Sequence, residues 1–332
     1  DFDCKQNIQS RNQCCTLVGE GGYSMARQKT TGTLIKKTKA DQVFDVFNIL
    51  ICGLITLIMV YPLYFTVIVS LSSPGEVASG SVFLWPKGFT LEAYQNVFRN
   101  KEIWVGYRNT ILYTVGNTLY CLGLTIPAAY VLTKKYLPFR GAISWYFFVT
   151  MYFGGGLIPR YILNKALHLV NTPWIMIVGV GVSCYNLIVT RTFFSSNIPD
   201  ELYESAYIDG ATEWQSFIKI ALPLSGSILA VMILFNVVGC WNSYYTAMIY
   251  ITNQNYWPLQ MVLRKILILG ETAALSLEEM TKEEQEWALR QSQMIYTMKY
   301  ALIFISSAPL LVIYPFVQKH FVKGVMIGSV KG

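Results

Sequence analysis

The chain has 332 residues, of which 53% are hydrophobic and only 14% charged, with 14% aromatic and a formal net charge of +7. A soluble globular domain carries closer to a quarter charged residues, so an ordinary soluble fold is excluded in favour of a polytopic membrane protein. The basic residues never form a dense run, and the positive balance fits Lys- and Arg-enriched inner loops better than nucleic-acid binding; no nucleic-acid partner is expected.

Residues 1–42 form a polar, basic leader. Within it, Asp1 to Ser24 lack apolar periodicity, and Met25 precedes Arg27, Lys29, Lys36, Lys37 and Lys39. Met25 is therefore expected to be the translation start, with 1–24 outside the native protein. Six uncharged stretches over 43–332 are long enough to span a bilayer: 49–71, 110–132, 142–159, 173–189, 222–241 and 300–317. Each is expected to be helical, because a segment in lipid must satisfy its own backbone. The fold class is thus an all-α membrane protein with six transmembrane helices.

Pro62, Pro127, Pro309 and Pro315 fall inside spans and read as kinks. Gly154, Gly155 and Gly156 open a break near the end of the third span, suited either to close helix approach or to an unwound stretch lining a path. The segment 72–109 reads as an ordered outer loop, and 277–291, with five glutamates, as a solvated helix face. With both termini cytoplasmic, the inner segments hold about 15 Lys and Arg residues against about 11 outside, the favoured sense. Cys52, Cys121, Cys184 and Cys240 lie in apolar runs as small hydrophobes, no CxxC pair occurs, and no metal site is expected.

Between the fourth and fifth spans, Ile198-Pro199-Asp200 opens a helix with acids in its first turn. Asp209-Gly210 signals a turn, a second short helix runs through Trp214 and Phe217, and Leu222-Pro223 enters the fifth span. Two short helices at an angle make a knob suited to docking in a partner's groove.

The order Glu204-Ser205-Ala206, Asp209-Gly210-Ala211, Ile220 and Leu222-Pro223 closely resembles the signature loop of permease subunits in binding-protein-dependent ABC importers, with Ser205 where Ala is usual. Trp241-Asn242, the segment Tyr314 to Lys319 and the basic tail are similar to the carbohydrate-uptake group, which includes maltose-transporter-like inner-membrane subunits. Met151 to Pro159 is similar to its lipoprotein- or polysaccharide-type branch. The resemblance implies residues 198–220 as an ATPase-coupling loop with a coupling helix, carried by Glu204, Ala206, Asp209, Gly210, Ala211, Leu222 and Pro223. It also implies a second, different permease, two ATPase subunits holding ATP and Mg, and an extracytoplasmic solute-binding protein, all at a bacterial cytoplasmic membrane among its lipids.

No catalytic constellation and no phosphate-cradling glycine loop appear, so the chain is expected to be no enzyme and to carry no cofactor of its own. Tyr152, Asn117, Asn236, Trp241 and Asn242 are candidates for the path of an oligosaccharide, since aromatic faces stack on sugar rings and amides bond hydroxyls. The rival, a stand-alone secondary transporter or channel, expects ionisable groups inside the spans, and these spans have none.

Overall fold

A computed structural model describes residues 39–179, 181–275 and 282–329, so the expectations for Met25 and the leader lie outside the described residues. The described residues divide into two units at Thr56 and Leu57. In the first, residues 39–56 begin helix α1 (Lys39–Ser70), with Asp41 in its first turn and apolar side chains such as Ile49, Leu50 and Leu54 exposed. An uncharged helix surface of this kind is what hydrocarbon solvates.

In the second unit every regular element among the described residues is helical. The end of α1 buries Ile68 and Val69 against Val77 of α2 (Pro74–Ala78), Val82 and the ring of Tyr300. The segment expected as an outer loop over 72–109 holds α2, α3 (Glu92–Arg99) and the first turns of α4 (Lys101–Val131). The second span therefore begins earlier than 110. The Asn100 side chain accepts from the Glu102 amide at 2.9 Å, an N-cap with an acid in the first turn.

α5 (Arg140–Tyr152) stops at the three glycines, where Gly156 has φ +82°, and α6 (Leu157–Ala166) leaves at 114° to it. The third expected span is thus two helices, because only glycine enters the positive-φ region freely. The fourth, 173–189, is also not one helix. It comprises α7 (Trp174–Ile177), a turn at Val178–Gly179, non-helical residues at 181–183 and α8 (Cys184–Asn197). Side chains from elsewhere satisfy the freed carbonyls: Asn117 Nδ2 donates to Ile177 O at 2.8 Å, Cys121 Sγ to Gly181 O at 3.6 Å and Arg160 Nη2 to Gly179 O at 3.0 Å. An uninterrupted helix was therefore not the only way to meet the backbone requirement.

Beyond α8 come α9 (Asp200–Ile208), α10 (Glu213–Ser216), a π-helical turn (Phe217–Ala221), α11 (Leu222–Leu224) and α12 (Gly226–Trp241). α13 (Tyr245–Tyr250) and α14 (Leu259–Leu275) follow. α15 (Lys282–Ser329) merges the end of the expected acidic helix with the sixth expected span, running through Pro309 and Pro315. Residues 41–70, α4 and 289–315 are each long and apolar enough to cross a membrane; counting α5–α6 and 213–241 as bent spans gives five.

The core sits along α4. The partners of its N-terminal end are Leu259, Val262 and Ile266 of α14 with Ala301 and Leu302 of α15. At the other end Ile126, Ala129 and Tyr130 meet Leu187, Phe194, Phe217 and Ala221. Polar groups on α4 fix the loop before α14: Asn109 Nδ2 donates to the carbonyls of Asn255 (2.8 Å) and Trp257 (3.1 Å), and Tyr113 Oη to Tyr256 O (3.0 Å).

Candidate functional site

The site is the bent segment α9–α10. Pro199, extended at φ −61° and ψ 139°, precedes α9, and Asp200 and Glu201 occupy the first turn, where the helix dipole favours acids. The exit is a Schellman motif: Ala211 N donates to Ala206 O at 2.9 Å, Gly210 N to Tyr207 O at 3.0 Å, and Gly210 sits at φ +76°. α10 starts at once with a capping box, Gln215 N to Thr212 Oγ1 at 3.3 Å and Thr212 N to Gln215 Oε1 at 2.9 Å. The two helix ends that meet at the bend are thus closed by groups within the segment itself.

The inner face is tied down by the end of α4 and the short basic loop after it. Tyr130 packs against Phe217 (5.1 Å between ring centroids), Tyr203 (5.9 Å) and Phe194 (6.1 Å). Its hydroxyl donates to Glu213 Oε2 at 2.9 Å. Lys134 Nζ lies 3.1 Å from the same oxygen and over the Tyr203 and Tyr130 rings at 4.1 and 4.4 Å. Lys135 pairs with Asp200 at 2.7 Å. One loop therefore staples both helices of the knob.

Electrostatics follow from these contacts. Burial opposes ionisation of Glu213, but hydrogen bonds from Tyr136, Lys134 and Tyr130 outweigh it and hold the carboxyl below its usual range. The Lys135 ammonium holds Asp200 low by hydrogen bond and charge, and Asp200 raises Lys135 in return. Burial pushes Tyr203 up to about 12.

The outer face is different. Glu204, Asp209 and Gly210 are exposed, and so are Tyr207 (79%), Ile208 (83%) and Trp214 (64%). Large apolar side chains gathered at a bend mark an interaction surface. Ala206 is buried against the body, Ala211 and Leu222 half-buried and Pro223 exposed. The sequence reading found the bend but not Tyr130, Lys134, Tyr203 or Glu213, which hold it. Only the basic Lys134-Lys135 pair beside an acidic helix start hinted at them.

The expected path residues are not brought together. Asn117 is buried and engaged with Ile177 O; Trp241 is buried, donating to Ser306 O at 2.9 Å. Asn236, half-buried, bonds the Met232 carbonyl of its own helix. Tyr152 is exposed beside Phe148, and Asn242 is exposed at the end of α12.

A helical body with membrane-length apolar helices and an anchored, exposed two-helix knob defines a membrane component with a docking surface. Residues 103–327 match the family described as binding-protein-dependent transport system inner membrane component, and the chain belongs to that family. It is 40% identical over 295 residues to Protein LplC of Bacillus subtilis (strain 168), covering 89% of this chain and 97% of that protein. It is 36% identical over 293 residues to the polygalacturonan/rhamnogalacturonan transport system permease protein YtcP of the same organism, covering 86% and 98%. Among solved structures, a chain of a bacterial ABC transporter involved in the import of the acidic polysaccharide alginate superposes with a TM-score of 0.76. That chain is 30% identical, with 86% of this chain and 99% of that chain covered. The protein is accordingly a permease subunit of a binding-protein-dependent ABC importer, and not a stand-alone secondary transporter or channel.

Proposed function

We propose that this permease carries an oligosaccharide or polysaccharide fragment across a bacterial cytoplasmic membrane. The relatives named for polygalacturonan/rhamnogalacturonan and for alginate support that substrate class. In this reading it pairs with a second, different permease, and an extracytoplasmic solute-binding protein delivers the sugar. Two ATPase subunits, which hold the ATP and Mg, dock on residues 198–220. The six crossings are those of the sequence reading, with the fourth passing through α7, the break and α8, and both termini facing the cytoplasm.

The observation that carries this reading is the contrast between the two faces of α9–α10. The inner face is fixed by Tyr130 and Lys134, while Tyr207, Ile208 and Trp214 stand out with Glu204 and Asp209 beside them. A knob that is rigid on one side and apolar on the other can pass a partner's displacement to α12 without absorbing it. Glu204 is placed to accept a charge-assisted contact from a basic ATPase residue. ATP binding and release in the partner give two states with different contacts, which any coupling requires. Of the path candidates, Tyr152 and Asn242 are exposed to a passing sugar, whereas Asn117 and Trp241 are buried and held by backbone carbonyls.

The test is uptake and ATP hydrolysis by the reconstituted importer. Glu204→Lys and Gly210→Asp are expected to lower coupled uptake by about tenfold or more, the size of a lost charge-assisted contact. The partner ATPases should still hydrolyse ATP on their own. Wild-type coupling in both variants would refute the docking assignment.

A further inference from the structure

Asn242, at the end of α12, meets Gln260 on α14, with Gln260 Nε2 3.4 Å from Asn242 Oδ1. One turn along α14, Arg264 lies with its guanidinium carbon 5.6 Å from the centroid of the Tyr244 ring and its Nη1 against Met248 Sδ. Residues four apart share a helix face, so Gln260 and Arg264 stand side by side. Asn242 and Tyr244 are exposed, the latter at 43%.

The neighbouring cation provides the contrast. Lys265 is neutralised by Glu102 at 3.0 Å and lies near the Trp257 ring. Among the described residues no carboxylate forms an ion pair with Arg264. It lies instead against an aromatic ring and a thioether, which engage one of its terminal nitrogens and leave other N–H donors without a protein partner among the described residues. A guanidinium is a planar fork matched to a carboxylate, with two parallel N–H···O bonds. Asn242 Nδ2 also donates to Val238 O at 3.0 Å, but each amide group has a second N–H and its oxygen a second lone pair, so the pair still offers donors and acceptors to vicinal hydroxyls.

We propose that Asn242, Tyr244, Gln260 and Arg264 form a subsite for an acidic sugar, a uronate ring whose carboxylate is bound by Arg264 and whose hydroxyls are bound by Asn242 and Gln260. The proposal rests on the carbohydrate reading above and narrows it to carboxylated chains. Tyr244 positions Arg264 and does not itself contact the carboxylate. A neutral sugar here leaves the guanidinium without its anion, so the subsite discriminates by charge.

The experiment uses the whole importer in lipid nanodiscs, measuring direct binding of an oligogalacturonide and of its methyl ester, together with uptake of both by reconstituted vesicles. The acid should bind more tightly than the ester in the wild type. Arg264→Gln should weaken acid binding by about tenfold or more, the weight of a lost bidentate charged pair, and leave ester binding unchanged. Arg264→Lys, which keeps the charge and loses the fork, should fall between. Tyr244→Ala should weaken acid binding selectively, and Tyr244→Phe should not. Equal weakening of acid and ester by Arg264→Gln, or no weakening of either, overturns the subsite while leaving carbohydrate import standing. A wild-type importer that binds and carries neither oligosaccharide, nor any neutral one, overturns the carbohydrate reading and the subsite with it.

Discussion

The chain bends sharply in two places that solve the same problem in opposite ways. At 208–213 the turn between α9 and α10 is closed from within, by a Schellman motif and a capping box drawn from residues 206–215. At 177–184 the carbonyls of Ile177, Gly179 and Gly181 are bonded from outside, by Asn117 and Cys121 of α4 and Arg160 of α6, beside the local Ser183 cap of α8. A bend closed locally keeps its shape while its surroundings move. A bend closed by distant side chains is only as firm as the elements that carry them. The first suits the transmitting role proposed for the knob; the second makes the α7–α8 segment depend on its neighbours.

That contrast can be broken by substitution. The largest effect is expected at Gly179, where an added Cβ would lie 2.4 Å from Ile175 Cδ1 and 2.7 Å from Ile175 O. The isoleucine tip can rotate away, but the carbonyl cannot move without reopening α7. Gly179→Ala should cost about 2–3 kcal/mol, the upper range for overpacking, read as a lowered melting temperature of the purified importer. Next comes Asn117→Ala, which strands the Ile177 carbonyl and should cost about 1–2 kcal/mol. Transport per folded importer should persist; its loss at unchanged stability would return Asn117 to the substrate path.

The smallest effect belongs to the knob. Glu213→Gln weakens contacts to Tyr130 and Lys134, but the carboxyl is half exposed, so the cost at neutral pH should stay below about 1 kcal/mol. Its pH dependence is the sharper readout. Glu213 and Asp200 both have carboxyls held below their ordinary values of 4.5 and 3.8. Their stabilisation is fully present above those values and is lost as pH falls through the lowered ones. The melting-temperature gap between wild type and Glu213→Gln should therefore be flat from neutral pH to about 5 and close below it.

The two bends also differ in how far the sequence disclosed them. The knob was legible because its determinants are local: Pro199 before an acidic turn, Asp209-Gly210 at the bend, Leu222-Pro223 at the exit. The break was not. Residues 173–189 are apolar throughout, and composition carries no trace of an asparagine some sixty residues earlier that will bond a carbonyl. The glycines at 154–156 announced an interruption without its 114° angle, which depends on packing. α14 escaped notice as a buried helix because Arg264 and Lys265 interrupt its apolar run. The proposed sugar subsite shows the same division: Asn242 was found from its motif, while Gln260 reaches it, and Arg264 reaches Tyr244, through the tertiary fold.

The π-helical turn at Phe217–Ala221 sets the direction of the knob. The Leu222 amide reaches back five residues to Phe217 O, and Pro223 follows with no amide to offer. A π-turn carries one residue more than an α-turn over the same number of hydrogen-bonded steps. Each residue of an α-helix advances the azimuth by about 100°. Removing one residue here would let the coil tighten and swing α9–α10 through roughly that angle about the axis leading to α12. The segment is thus a gear tooth, whose residue count rather than its chemistry fixes which way the shaft faces. Among the stretches flanking α12 it is where a single deletion would turn the exposed face of α9–α10 away from its present direction.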